Sequence, residues 1–461
     1  MVQFHSQTIA PIQSHTDPDK EYTALTRKIV KLTGHEYIGT KDTLISRPER
    51  EARYRKALEL VNNQLQLGMD DKDLRIMTLA YVALSEVSRF GGEPLMDSER
   101  YGENTATHSI HTPLRMHKIL RKALQRMNAK ESEESQHLRQ MTGLCLLMHD
   151  LGEAIGEPGS LAQESTQKGF KKDKPAIEAV VMDFILRLAT HAVEADDPQA
   201  FYSRLDQIKM KDMHQRASVS SNEELLATVR DKLGEAPSIS ADGEARVELF
   251  SDLWNVVEHP NKTPERFAAE PTAFISLLAS MNEHAQGTGH FVKFNHKDRE
   301  YDPNSQVRPT WLAQSVRVMK NASYTEGELG HLYAQAKTPL EKAVAIEAKK
   351  EAYTKMIDVL RWGPGAVDRA LQSAEENTEL PVTHPGRQEE MSQLLLRSMD
   401  QEAEPYAIRT IEDRDNLLAL YDWALHKDDF VPTPGKTLIA APPAEFSQDM
   451  ARTIAKAAGR G

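Results

Sequence analysis

The sequence predicts an all-α protein: a helical core domain, an N-terminal helical extension and a helical C-terminal region. Three observations carry this. Ala, Leu, Glu, Lys, Gln and Met recur throughout, while charged residues make up 27% of the chain and aromatic residues only 6%, a balance that suits amphipathic helices. Apolar residues return at helical spacing in segment after segment. Glycine and proline gather between those segments. With 461 residues the chain can bury a sizeable core. It divides into an extension with one or two helices (1–72), a core domain (73–300) with an insertion near 196–245, and a C-terminal region (301–461) of unassigned role.

Residues 1–45 are polar, with Pro11 and Pro18, and read as a partly ordered lead-in. A helix is expected over Arg47–Leu67, where Pro48 stands near the start and Ala57, Leu58, Leu60, Val61 and Leu65 share a face. A more apolar helix covers Leu74–Val87. Gly91, Gly92, Pro94 and Gly102 then make 89–103 a loop. Further helices are expected at His108–Met127, Gln136–His149 and Lys174–Ala195, and residues 196–245 read as a polar insertion. Helices at Glu248–Glu258 and Pro271–Ala285 follow, then Pro339–Trp362, Glu389–Met399 and Ile411–His426, and the last 25 residues form a proline-bearing extended tail.

The formal net charge of −12 argues against general attraction to nucleic acid or anionic lipid. A single cysteine, Cys145, rules out an intramolecular disulfide and cysteine-rich zinc modules, and its apolar neighbours predict a buried, inert thiol. The N-terminus has no charged segment leading into an apolar one, and no stretch approaches the ~20 apolar residues of a membrane span. The expectation is a cytoplasmic protein with a small-molecule partner, no membrane, and self-association as an open alternative.

The most informative stretch is Leu146-Leu147-Met148-His149-Asp150-Leu151-Gly152-Glu153. An apolar helix ends on adjacent imidazole and carboxylate groups, both ligands for divalent metals, and a divalent metal turns water into a nucleophile at neutral pH. Neighbouring residues cannot surround an ion alone. The upstream candidate is His108, at the start of a helix expected to pack beside the one ending at His149; His111 and His117 lie further along and point elsewhere. Were the helix to continue past Asp150, Glu153 would share the face of both ligands, where a carboxylate can exchange protons with water or a leaving group.

Glu103-Asn104 followed by His108-Ser109, the apolar helix ending His149-Asp150 with Glu153 after it, and then Gly156-Glu157-Pro158 resemble the HD-domain metal-dependent phosphohydrolases. Within that superfamily the pattern is most similar to the 5′-deoxynucleotidase-like branch, over about residues 80–292. The resemblance implies an all-helical domain, a divalent metal held by His108, His149 and Asp150, and Glu153 directed at water or the leaving group. Manganese, cobalt or magnesium suits such a site, and zinc or iron also fits. It places Arg89 as a phosphate-binding and catalytic arginine and matches Glu178 to a recurrent glutamate. Glu157, which stands where the family has an aspartate, and Lys171, by the charge of the basic turn it shares with Lys168, Lys172 and Lys174, are further substrate-binding candidates.

The family completes its metal site with an aspartate just before a later helix, downstream of a pattern that Leu253-Trp254, Glu258 and Pro264-Glu265 fit. That register puts Thr272 at the aspartate position. Glu270 is the expected substitute ligand, with Asp252 and Asp298 more remote. Two readings follow: hydrolysis of a nucleotide phosphate ester, or a degenerate HD domain that binds a nucleotide or protein partner without turnover. A diiron oxygenase on the same scaffold would need more histidines, and His191, His259 and His284 lack suitable spacing.

Overall fold

The computed structural model describes residues 17–33, 46–85, 105–154, 174–208, 222–259, 264–295, 325–375, 411–438 and 442–447. Every regular element among them is a helix, as the composition predicts, and no strand occurs. In chain order these are α1 (Pro18–Thr33), α2 (Arg47–Leu65), α3 (Asp71–Ser85), α4 (Thr105–Arg126), α5 (Glu133–Met148), α6 (Lys174–Glu194), α7 (Pro198–Gln207), α8 (Asn222–Leu233), α9 (Ala241–Glu258), α10 (Thr272–Asn295), α11 (325–335), α12 (Pro339–Glu375) and α13 (Ile411–His426). Short 3-10 turns cover Leu151–Glu153 and Glu265–Phe267. No described helix is long and apolar enough to cross a membrane.

The chain forms two compact units, Met1–Arg121 with Ala129–Ala279, and Lys122–Asn128 with Ser280–Gly461. In the first unit α6 is the hub, packing against α3, α7, α8, α9 and the 151–153 turn. Helix α9 in turn covers α5, and α2 bridges α1 and α3. The core is continuous: Tyr81 and Leu84 from α3, Leu146 and Met148 from α5, Ile185 and Leu186 from α6, and Trp254 from α9 are all fully buried.

Two stretches read as polar in sequence gain detail here. The lead-in contains a full helix: the Asp17 side chain accepts the Asp19 N–H at 2.9 Å ahead of Pro18, a cap followed by a proline whose missing N–H costs a first helical turn nothing. Acidic side chains of α1 then dock on basic ones of α4. Asp19 meets Lys118 at 3.6 Å, Glu21 pairs with Arg121, and the Lys118 ammonium lies 4.8 Å from the centre of the Tyr22 ring. Within the polar stretch 196–245, the described residues carry α7, α8 and the start of α9. Asp197 caps α7 ahead of Pro198, and Ser240 caps α9 by accepting from the Gly243 N–H. Those cap-and-proline signals outweigh the polarity of the segment.

In the second unit α12 opens on a reciprocal cap. The Glu341 carboxylate accepts the N–H groups of Lys337 and Thr338, and the Thr338 hydroxyl accepts that of Glu341. Helices α12 and α13 pack together, with Tyr353 and Tyr421 in ring contact at 5.7 Å. The Glu326 carboxylate takes the Tyr421 hydroxyl at 2.5 Å and the Leu438 N–H, which ties residues after α13 to α11. Lys349 is fully buried and donates to the carbonyls of Lys427 and Phe430, both at 2.8 Å. Its ammonium thus completes the C-terminal end of α13, where a helix favours positive charge. In the tail expected to be extended, 444–447 forms a helical turn. The loop expected at 89–103 and the helix expected at Glu389–Met399 lie outside the described residues.

Candidate metal centre

Helix α5 begins on a capping box between Ser132 and Ser135 and carries an almost wholly buried run from Met141 to Met148. A buried helix end must find partners for its last carbonyls, and here three side chains supply them. His149 Nδ1 lies 2.5 Å from the Leu146 carbonyl, the Tyr81 hydroxyl donates to that of Leu147 at 2.6 Å, and Trp254 Nε1 donates to that of His149 at 3.3 Å. Burial first, then the nearby Asp150 charge, holds the Tyr81 phenol well above its usual range, so it remains a donor. The helix stops at Met148 and the chain turns through Leu151–Glu153 as a 3-10 turn, its Glu153 N–H bonded to the Asp150 carbonyl at 2.9 Å.

The second element is α4. From Ala106 to Leu120 every residue is buried except His108, which is half-buried. The ligand atoms of His108, His149 and Asp150 all lie within 4.8 Å of one another. The His108 ring stands edge-on to that of His149 at 5.7 Å and to that of His111 at 6.0 Å. His149 Nε2 sits 3.2 Å from Asp150 Oδ2, and the Ser109 hydroxyl donates to the same oxygen at 2.7 Å. Pro113, inside α4, has no N–H to return to the Ser109 carbonyl one turn earlier.

The residues fit a divalent cation. The Leu146 carbonyl can only accept, so the bond to it places the proton of a neutral His149 on Nδ1 and leaves the Nε2 lone pair facing a carboxylate oxygen. Two acceptors at that separation repel unless positive charge lies between or beside them. A metal satisfies both, and a backbone carbonyl fixing the remote ring nitrogen is the usual support for a metal-ligating histidine. The donor set, two imidazoles and one carboxylate, is that of borderline divalent ions.

Comparison with protein-family models, curated proteins and solved structures gives no match. What the centre can do is therefore read from its own atoms.

Glu153 is buried, on the turn that leaves Asp150 rather than on a continued helix. That turn is pressed against α6: a Cβ on Gly152 would lie 2.4 Å from the Glu178 Cβ, so only glycine allows this approach. Glu178 is itself buried at that contact. Glu270, expected as a fourth ligand, is elsewhere. Its carboxylate meets His137 Nε2 at 2.5 Å, near the opposite end of α5 from His149, a separation of roughly 18 Å along the helix axis. Thr272, the first residue of α10, is buried and its N–H bonds to the Glu270 carbonyl at 2.8 Å. Asp252 pairs with Arg266 at 2.8 Å. Arg89, Glu157, Lys171 and Asp298 lie outside the described residues.

Of the other histidines, His117 packs by Gln64 and Glu21. Burial, with the Arg139 charge near it, pushes its imidazole down to about 4. Cys145 is fully buried and its thiol is pushed far up by that burial, in keeping with an inert side chain. Three residues at the centre escape a reading of sequence: Ser109 and Tyr81 as hydrogen-bond donors, and Trp254 as the donor to His149. A tyrosine within an otherwise apolar helix is the one available signal, since its hydroxyl must find a partner when buried.

Proposed function

We propose that the chain is a metal-dependent phosphohydrolase of the HD-domain type, cleaving the phosphate ester of a nucleotide, with a nucleoside monophosphate as the substrate class to test first. The gathering of His108, His149 and Asp150 ligand atoms within 4.8 Å carries the reading. A divalent metal supplies there the polarisation of a phosphate oxygen and the acidification of water that such hydrolysis needs. Three protein donors leave room for substrate and water, as catalytic rather than structural sites do. Asp150 contributes the compensating negative charge, and His108 and His149 present neutral nitrogens. Glu153, buried on the adjoining turn, is the group assigned to take a proton from water or return one to the leaving oxygen. Arg89, Lys171 and Glu157 are the residues assigned to the substrate, the two cations for its phosphate.

Purified protein supplied with Mn²⁺ or Co²⁺ is expected to release phosphate from a nucleoside monophosphate panel. His149→Ala and Asp150→Asn should lose that release while keeping the fold by circular dichroism. Undiminished release in both variants would rule the reading out.

One observation favours the second reading, a binding protein without turnover. With Glu270 held by His137 and Thr272 at the start of α10, the described donors stop at three. Metal content separates the two. Less than about half an equivalent of Mn²⁺ after loading, with no hydrolysis, would identify a binding domain.

A further inference from the structure

We infer that Ser109 is a positioning residue for the metal centre, holding the Asp150 carboxylate with Oδ2 turned towards His149 Nε2, where an ion would lie. The inference rests on the metal reading above and extends it to a residue with no role there.

A serine inside a helix ordinarily bonds its hydroxyl back to a carbonyl one turn earlier, as Thr112 does here to the His108 carbonyl at 2.7 Å. Ser109 instead spends its only donor across the core, on Asp150 Oδ2 at 2.7 Å, from a fully buried position. It follows His108 directly in sequence, so one hydrogen bond links the helix that brings one ligand to the turn that brings the other two. Oδ2 also faces His149 Nε2 at 3.2 Å. A carboxylate oxygen has two lone pairs, so Oδ2 can accept the Ser109 proton on one and offer the other to an ion.

Removing such a support usually weakens metal binding by roughly 10- to 100-fold. The test uses the full-length protein and two variants, Ser109→Ala and Ser109→Thr, titrated with Mn²⁺, with the visible spectrum of bound Co²⁺ as a second readout and the apo melting midpoint as a third. Ser109→Ala is expected to bind Mn²⁺ at least about tenfold more weakly and to shift the Co²⁺ spectrum. Ser109→Thr, which keeps the hydroxyl, should restore both towards wild type. Mn²⁺ affinity and a Co²⁺ spectrum in Ser109→Ala equal to wild type would overturn the inference, as would a lowered apo midpoint with affinity unchanged, which marks a packing role. Wild-type protein that binds no Mn²⁺ or Co²⁺ would instead remove the metal reading itself, and this assignment with it.

Discussion

Replacing Gly152 by alanine is the sharpest probe of how the ligand-bearing turn is built. The new Cβ would stand 2.4 Å from the Glu178 Cβ and 2.9 Å from its Cα, where ordinary contact begins at 3.4 Å. The deficit is about 1 Å, and because one obstacle is backbone, no rotamer change can relieve it. Either the 151–153 turn or α6 must move. Overpacking of this kind costs about 1–3 kcal/mol, against which the stiffer unfolded chain returns about 0.4–1 kcal/mol. The net loss of ~1–2 kcal/mol lowers the melting midpoint of a unit this size by about 2–8 °C. Calorimetry with and without Mn²⁺ measures it, and metal affinity should fall too, since Asp150 adjoins the displaced turn. Gly143→Ala is the control. Its Cβ would meet Leu67 Cδ2 at 2.8 Å, the end of a flexible side chain that can turn away, so its cost should stay under about 1 kcal/mol. A Gly152→Ala protein that melts with wild type and binds Mn²⁺ equally would refute the proposed contact between turn and helix.

Two pH dependences follow from burial. His117 is held neutral in the folded state, its imidazole pushed from 6.5 to about 4, whereas the unfolded chain takes up the proton below about 6.5. The unfolded state therefore binds more protons in that window, and stability is lost as pH falls from 6.5 towards 4. In urea denaturation at pH 7 and pH 4.5, His117→Gln should be less acid-sensitive than wild type; equal sensitivity would contradict the assignment. Burial likewise pushes the Lys349 ammonium down from 10.5 to about 8. Again the unfolded state holds more protons between those values, so stability rises with pH across 8–10.5. The melting midpoint of wild type relative to Lys349→Met should climb between pH 7.5 and 10, and a flat difference would show that the ammonium is not desolvated.

The all-α class was legible because helical periodicity and cap residues agree along most of the chain. Ile411–His426 has the expected bounds, and α12 starts at Pro339 because Thr338 and Glu341 signal a cap in sequence as they form one in space. Boundaries slipped where a cap was passed over. Helix α9 begins at Ala241 rather than Glu248 because Ser240, inside the polar 196–245 stretch, caps it, and α5 begins at Glu133 because Ser132 and Ser135 cap reciprocally. The bounds of α1 were not legible because its docking to α4 depends on charges far along the chain, which local composition does not reveal.

At the site, the His149-Asp150 pair and His108 were legible as ligand types at the ends of helices expected to be neighbours, and their ligand atoms do lie together. Glu270 was misplaced because register alone cannot show that His137 is within reach of it. Ser109 carried no local signal and Tyr81 only that of a hydroxyl within an apolar helix, since each matters through a partner on another element.

The three donors that finish α5 also say when the centre can exist during folding. Tyr81 reaches Leu147 across 66 residues of chain, and Trp254 reaches His149 across 105. Contacts of such range must first overcome the entropy of closing long loops, so they belong to the late, cooperative stage of assembly. A peptide spanning 105–154 holds all three ligands yet lacks both aromatic anchors. The geometry of the candidate centre is thus a property of the finished tertiary structure, and an ion that selected it would report on the native state of the whole unit rather than on any nascent part.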